Sequence, residues 1–172
     1  MKAGYREKVG TLAKLTGICL LVACAPSLNW RAVPLGHLST LLPCKPDTAS
    51  RPVNLGGQTL TMEMAGCEAD GALFAISRIQ AANPAQAAVL MTSLRAASLA
   101  HIAQAVVHPV DNSGDALTSF DVQVDGLRAD GTPLQARFKW LLAGREVYQI
   151  AAYAERLRTE HTEGLITEAR LQ

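Results

Sequence analysis

The chain of 172 residues lacks the sequence patterns that mark the common hydrolases. It has no Gly-x-Ser-x-Gly sequence, which places a nucleophilic serine at a sharp turn in many esterases and lipases. Its four histidines are scattered, and no two stand four residues apart, the spacing that puts two zinc ligands on one helical face. We therefore predict that the protein is not an enzyme and has neither a metal site nor a cofactor.

The sequence also lacks an excess of charge of either sign. It carries 16 basic and 15 acidic side chains, of which four basic and one acidic fall in the first 23 residues. The remaining 149 residues hold 12 basic and 14 acidic side chains, a net charge of about −2. Because a nucleic-acid-binding surface needs concentrated positive charge, we expect no nucleic-acid partner.

Long hydrophobic runs are scarce. The apolar stretch at residues 15–23 is about half of the roughly 20 residues that a helix needs to cross a bilayer. Basic residues precede it, namely Lys2, Arg6, Lys8 and Lys14. A basic start, a short apolar segment and small residues at its end are the layout of a secretory signal, so we predict a signal peptide at residues 1–23.

Two cleavage sites compete at the end of this segment. Ala23-Cys24-Ala25 fits ordinary signal removal, but Pro26 would then be the first mature residue, and proline fits an extended protease subsite badly. Residues 21–24 (Leu-Val-Ala-Cys) instead resemble the lipobox of bacterial lipoproteins. That resemblance implies acyl chains on Cys24, a tether at residues 24–36 and attachment to a membrane of the bacterial envelope. With Ala25 following the cysteine, it further implies the outer membrane, with the domain facing the periplasm.

Two other cysteines, Cys44 and Cys67, remain in the predicted mature chain. An exported protein meets an oxidising compartment, which favours a disulfide; two buried thiols or a metal pair are the alternatives. Gly56-Gly57 between two strand-like segments predicts a tight hairpin in which paired residue numbers sum to 113. Residue 46 then faces Cys67, which brings the two sulfurs into one neighbourhood.

The hydrophobic pattern predicts one α+β domain at residues 37–172. Alternating apolar and polar residues favour an antiparallel β-sheet of about six strands. Asn83 and Pro84 predict the start of a long central helix that runs to about Gln104, and residues 159–168 predict a C-terminal helix. We expect the two helices to flank the sheet.

Two segments of the chain resemble PsbP-like domains. Residues 41–46 (Leu-Leu-Pro-Cys-Lys-Pro) are similar to the first conserved segment of that family, and residues 144–150 with 165–171 are similar to its ending, although Ala169 replaces a usual phenylalanine. The pair Cys44 and Gly66-Cys67 also resembles a pattern in proteobacterial envelope proteins. The resemblance implies an α/β/α sandwich and a non-enzymatic role in binding partners or assisting assembly.

Two functional hypotheses follow. The first is a lipid-anchored interaction or assembly module whose partner is an unidentified envelope protein; Trp30 is then either a partner contact or a plug at the edge of the domain. The second is a periplasmic carrier of a small hydrophobic ligand or lipid. Its cavity would lie between the central helix and the sheet, lined by Met62, Met64, Met91 and Leu94.

Overall fold

A computed structural model of the chain describes residues 27–110 and 118–172. Within these residues the chain forms ten strands: β1 (Arg31–Leu35), β2 (Leu38–Leu42), β3 (Asp47–Leu55), β4 (Gln58–Ala69), β5 (Ala72–Gln80), β6 (Ala103–Pro109), β7 (Ser119–Leu127), β8 (Pro133–Ala143), β9 (Glu146–Ala154) and β10 (Arg170–Leu171). Helix α1 spans Pro84–Ala100 and helix α2 spans Thr159–Thr162. A π-helical turn, Glu163–Thr167, follows α2 directly.

The strands form two antiparallel sheets. Seven of them form a large sheet in the order β3-β4-β5-β9-β8-β7-β6, and the other three form a small sheet in the order β1-β2-β10. One face of the large sheet packs against α1 through Leu90, Met91 and Leu94. The opposite face packs against the small sheet and the C-terminal turns through Leu38, Leu42 and residues such as Leu165. No helix in the described part of the chain is both long enough and apolar enough to cross a membrane.

The predicted fold class is wrong, because the chain is mostly β. The central helix was expected to reach about Gln104, but α1 ends at Ala100, and Gln104 has a φ of 53°, which a right-handed helix cannot contain. Residues 103–109 form β6 instead. The predicted C-terminal helix contains Gly164, which weakens a helix by about 1 kcal/mol relative to alanine, and it is reduced to one α-turn and one π-turn.

The small sheet accounts for the other part of the error. β1 lies in the segment assigned to the tether and contains Pro34, which masks its strand pattern, yet Val33 is buried. β2 pairs with β1 on one side and with β10 on the other. A sandwich with a helical layer on each face of one sheet is therefore not the architecture of these residues.

The hairpin prediction is confirmed. β3 and β4 pair with residue numbers that sum to 113, from Asp47 with Gly66 to Leu55 with Gln58. Gly56 and Gly57 have φ values of 58° and 76°, which the two-residue turn requires. The start of α1 is confirmed as well, since the Asn83 side chain accepts a hydrogen bond from the Gln86 N–H at 2.9 Å.

The two edge strands of the large sheet, β3 and β6, each have a feature that disfavours further strand pairing. Pro52 stands within β3, opposite Thr61, and has no N–H to offer a further strand. In β6 the pairing register shifts between Ala103 and Val106, beside the left-handed Gln104. Irregularities of this kind disfavour the addition of another strand at a sheet edge.

Candidate functional site

Helix α1 covers only part of its face of the large sheet, and the uncovered part forms an open groove of about 1050 Å³. This volume matches the largest pockets that hold drug-sized ligands. The groove residues come mainly from β3, β4, β5 and β9, and those used below are Ala49, Met62, Met64, Gly66, Leu73, Ala75, Arg128, Leu134, Gln149 and Tyr153. The groove is the strongest candidate for a functional site.

The strand registers explain why the groove is hollow. Across the sheet, Gly66 pairs with Ala75, and the next row on this face pairs Ala49 with Met64. Residues this small leave space above the backbone. At the end of the groove next to the β4–β5 turn the floor carries larger side chains, where Leu73 pairs with Tyr153.

The floor of the groove exposes apolar surface. Leu73 is 41% exposed, one of the few large hydrophobic side chains of the described residues with that much exposure. Met62 and Met64 are half-buried on β4, farther along the groove from Leu73. Methionine is flexible and polarizable, so a methionine surface adapts to ligands of irregular shape. Apolar surface collected in a concave site is the usual character of a small-ligand site.

The wall of the groove formed by β9 is held in place by hydrogen bonds and ring packing. Gln149 lines the groove, and its Oε1 accepts a hydrogen bond from Trp140 Nε1 at 2.9 Å and lies 2.5 Å from Ser98 Oγ of α1. The Tyr153 ring meets Phe138 edge-on with 5.4 Å between ring centroids. Burial raises the pKa of Tyr153 to about 12, so this phenol is neutral at physiological pH. The wall therefore offers polar atoms but no charge.

Charged side chains stand at the border of the groove. Asp47 and Arg51 line it from β3 and Glu68 from β4, and Arg128 lines it from the loop after β7. Asp70 lies in the turn between β4 and β5, where it pairs with Arg158 and contacts His161 Nε2 at 3.2 Å.

The hydrogen bond from His161 is the main cause that lowers the pKa of Asp70. His161 is itself buried, with its ring edge-on to Phe74 at 6.0 Å. Because Arg158 N–H donates to His161 Nδ1, Nε2 carries the proton shared with Asp70. This contact fixes the end of the β4–β5 hairpin to the C-terminal turns.

A second polar cluster lies on the other face, around the buried Glu146. The Glu146 carboxylate accepts hydrogen bonds from Arg78 and Tyr148, and its Oε2 lies 2.5 Å from His37 Nδ1. Burial alone would raise the pKa of Glu146, but the hydrogen bonds from His37, Tyr148 and Arg78, together with the charge of Arg78, lower it to about 2. A carboxylate held so firmly in its charged form is a poor proton carrier at neutral pH.

The Glu146 cluster instead holds the turn between β1 and β2. The His37 backbone N–H donates to the Tyr148 hydroxyl at 2.9 Å. Gly36 has a φ of 58°, and a Cβ at that position would lie 2.6 Å from Arg78 Nε. The tight packing and the buried charges join the small sheet to the large one, so we interpret this cluster as structural.

The structure places the predicted site residues in different settings. Cys24 and the predicted signal peptide lie outside the described residues. The Cys44–Cys67 disulfide is present, with the two Cα atoms 5.9 Å apart. Trp30 is half-buried, with its ring edge-on to Phe74 and its indole against Gly164, the arrangement expected of a plug.

The predicted cavity residues separate into two groups. Met62 and Met64 line the groove, whereas Met91 and Leu94 are buried in the core beneath α1, with 3% and 5% exposure. Sequence reasoning missed Leu73, Tyr153 and Gln149. Their alternation along β5 and β9 would have placed them on the same sheet face as the methionines, but it carries no sign of where the helix ends.

No group of His, Cys, Asp and Glu side chains in residues 27–110 and 118–172 is arranged to hold a metal ion. The groove has apolar side chains on its floor and charged side chains at its border. A scan of protein-family models found no match to this chain, and no curated protein matches it.

Proposed function

We propose that this protein is a non-catalytic, lipid-anchored protein of the bacterial cell envelope that binds a small hydrophobic ligand in the groove. The observation that carries the proposal is the open groove of about 1050 Å³ with the exposed Leu73 on its floor. Burying apolar surface contributes roughly 25 cal/mol per Å². A ligand that covers the groove floor therefore gains binding energy without any change in the domain core.

The anchor and the location are supported by the sequence. Residues 21–24 fit a lipobox, and the apolar run before them is too short to serve as a comfortable membrane span. Each methylene of a lipid chain contributes about 0.8 kcal/mol of membrane binding. Two or three chains on Cys24 then hold the protein firmly at the outer membrane, with the domain on the periplasmic side.

A second candidate is an interaction or assembly module for another envelope protein. It is favoured by β6, where Val106 and Val107 are 55% and 41% exposed. The irregular register of β6 disfavours pairing with a strand of the partner, so such a partner would bind through side-chain contacts.

An aspartate in place of Leu73 is expected to weaken ligand binding. The change puts a charge on the apolar floor, and burying that charge under an apolar chain is costly. We expect dansyl-labelled undecanoic acid to bind at least about tenfold more weakly, which corresponds to about 1.4 kcal/mol. The measurement is a fluorescence titration of the full chain, kept soluble in an amphipathic polymer.

Val89→Asp is the matched control, because Val89 is another exposed hydrophobic residue, 61% exposed, that lies on α1 outside the groove. It should bind the probe as the unmodified protein does. Equal binding by the unmodified protein and both variants would rule out the groove as the ligand site and leave the interaction module as the remaining candidate.

The anchor is tested by intact-mass measurement of protein extracted from membranes. We expect the mass of a chain that begins at Cys24 with two or three acyl chains, and Cys24→Ser should remain unprocessed and carry no lipid. Ala25→Ser is the control and should be lipidated normally. Normal processing of Cys24→Ser, with the product still bound to membranes, would contradict the anchor.

A further inference from the structure

The first described residues lie at the end of the large sheet where β4 turns into β5. The Asn29 N–H donates to the Pro43 carbonyl at 2.7 Å, next to the Cys44–Cys67 disulfide. Cys67 pairs with Phe74, and two more residue pairs of β4 and β5 precede the turn at Asp70 and Gly71. Trp30 contacts Phe74 from the face opposite α1.

One end of the groove lies at the same end of the sheet, next to the β4–β5 turn, and we call it the outer end. Leu73, which pairs with Glu68 on one side and Tyr153 on the other, is two residues from Gly71 in the β4–β5 turn. Leu134 and Arg128 line the groove from the neighbouring end of β8 and the loop before it. The first described residues and the outer end of the groove therefore lie at the same end of the domain, on opposite faces of the large sheet.

Little chain separates this end from the proposed anchor. Cys24 is three residues before Ser27, and an extended chain spans at most about 3.6 Å per residue. Ser27 thus lies within about 11 Å of the lipidated residue. This distance is short against the length of β4, which has 12 residues, so lipidation of Cys24 as proposed places this end of the groove nearer the membrane than the opposite end.

We infer that the groove takes one acyl chain of a phospholipid from the bilayer to which the protein is anchored. The inference rests on the proposed function and names its ligand and the source of that ligand. The acyl chain lies on Leu73, Met64 and Met62, above the hollow left by Gly66 and Ala75. The chain enters from the outer end, where the bilayer stands.

Arg128 gives this ligand a polar contact. Its side chain lines the outer end and donates to the Pro133 carbonyl at 3.0 Å, which leaves further guanidinium N–H groups for a phosphate. One acidic group, Asp130, lies in the same loop as Arg128, and its Oδ1 accepts hydrogen bonds from the Thr132 N–H and hydroxyl at 3.0 and 2.7 Å. The other two acidic groups of this end lie away from Arg128 or are paired. Glu68 is three strands across the sheet from β8, or about 14 Å at the usual strand spacing, and Asp70 is already paired with Arg158.

Photolabelling of the full chain in vesicles tests the inference. The vesicles contain phosphatidylethanolamine and phosphatidylglycerol with a trace of phosphatidylcholine that carries a diazirine on one acyl chain. After illumination and digestion, mass spectrometry should find the label on peptides of β4, β5 and β9. We expect Leu73→Asp to reduce this labelling at least fivefold and Val89→Asp to leave it within twofold.

Arg128→Gln separates the phosphate contact from the apolar contact. It should reduce phospholipid labelling about threefold and leave binding of uncharged N-phenylnaphthylamine unchanged. Absence of label from the groove, while dansyl-labelled undecanoic acid still binds there, would overturn the inference and leave the proposed function standing. If neither ligand reaches the groove, both are wrong.

Discussion

Replacement of Glu146 by glutamine is expected to lower the free energy of unfolding by about 3 kcal/mol, since removing one partner of a buried ion pair typically costs 3–5 kcal/mol. The Glu146 side chain is 5% exposed, and its Arg78 partner is 18% exposed. The substitution leaves the Arg78 charge largely buried with only Glu63 as a carboxylate partner. It also weakens the contacts that hold the β1–β2 turn. Urea denaturation of the full chain measures the effect.

Glu63→Gln is the matched control, because Glu63 binds the same arginine from a side chain that is 45% exposed. Exposed ion pairs contribute about 0–1 kcal/mol, so this variant should stay close to the unmodified protein. Equal losses in the two variants would show that burial does not distinguish the two carboxylates.

The pH dependence of the free energy of unfolding gives a second test of Glu146→Gln against the unmodified protein. The folded-state pKa of Glu146 is lowered to about 2 from an ordinary 4.5. A lowered carboxyl pKa contributes stability that is present above pH 4.5 and is lost as the pH falls toward 2. The stability difference between the unmodified protein and Glu146→Gln should therefore shrink across that interval.

Removing the disulfide is expected to cost about 3 kcal/mol of stability, as the chain-entropy treatment gives for a loop of this length. Cys44 and Cys67 are 23 residues apart in sequence. The bond joins the segment after β2 to β4, so it links the small sheet to the large one. The double variant Cys44→Ala/Cys67→Ala should show this loss in urea denaturation.

A reducing agent supplies the control. It should destabilise the unmodified protein by a similar amount and leave the double variant unchanged. A reduced protein as stable as the oxidised one would mean that packing alone holds the two sheets together.

Local sequence signals predicted the parts of the fold that depend on neighbouring residues. The Gly56-Gly57 turn fixed the register of β3 on β4, and that register brought Cys44 close to Cys67. Asn83 and Pro84 likewise identified the start of α1, because asparagine caps a helix and proline suits its first turn. These features follow from short turn and cap sequences, where backbone preferences of glycine, asparagine and proline dominate.

The missed elements depend on contacts between distant residues. β10 is two residues long and exists because it pairs with β2, more than 130 positions earlier. Only two residues separate α1 from β6, without a break in the apolar pattern of the sequence, and the left-handed Gln104 lies at the start of β6. Glutamine does not favour a left-handed conformation, so the sequence predicted a helix that is too long and missed β6.

The groove shows the same division. Alternation along β4 identified Met62 and Met64 as apolar residues of one sheet face. Whether a residue on that face is core or groove depends on the course of α1 across it. Met91 and Leu94 lie on α1 and pack against the sheet. Leu73 lies on the part of the face that α1 does not cover, so it stays exposed. That outcome requires the three-dimensional path of the chain.

Pro52 in β3 and the register shift in β6 have a consequence for crowding. Proteins fastened to a membrane surface meet one another at a raised effective concentration, as tethered molecules do. A regular sheet edge would then favour edge-to-edge strand pairing of neighbouring copies into extended sheets. Pro52, which has no N–H, and the irregular start of β6 disfavour such pairing at both edges of the large sheet, so we expect copies anchored side by side as proposed to remain separate molecules.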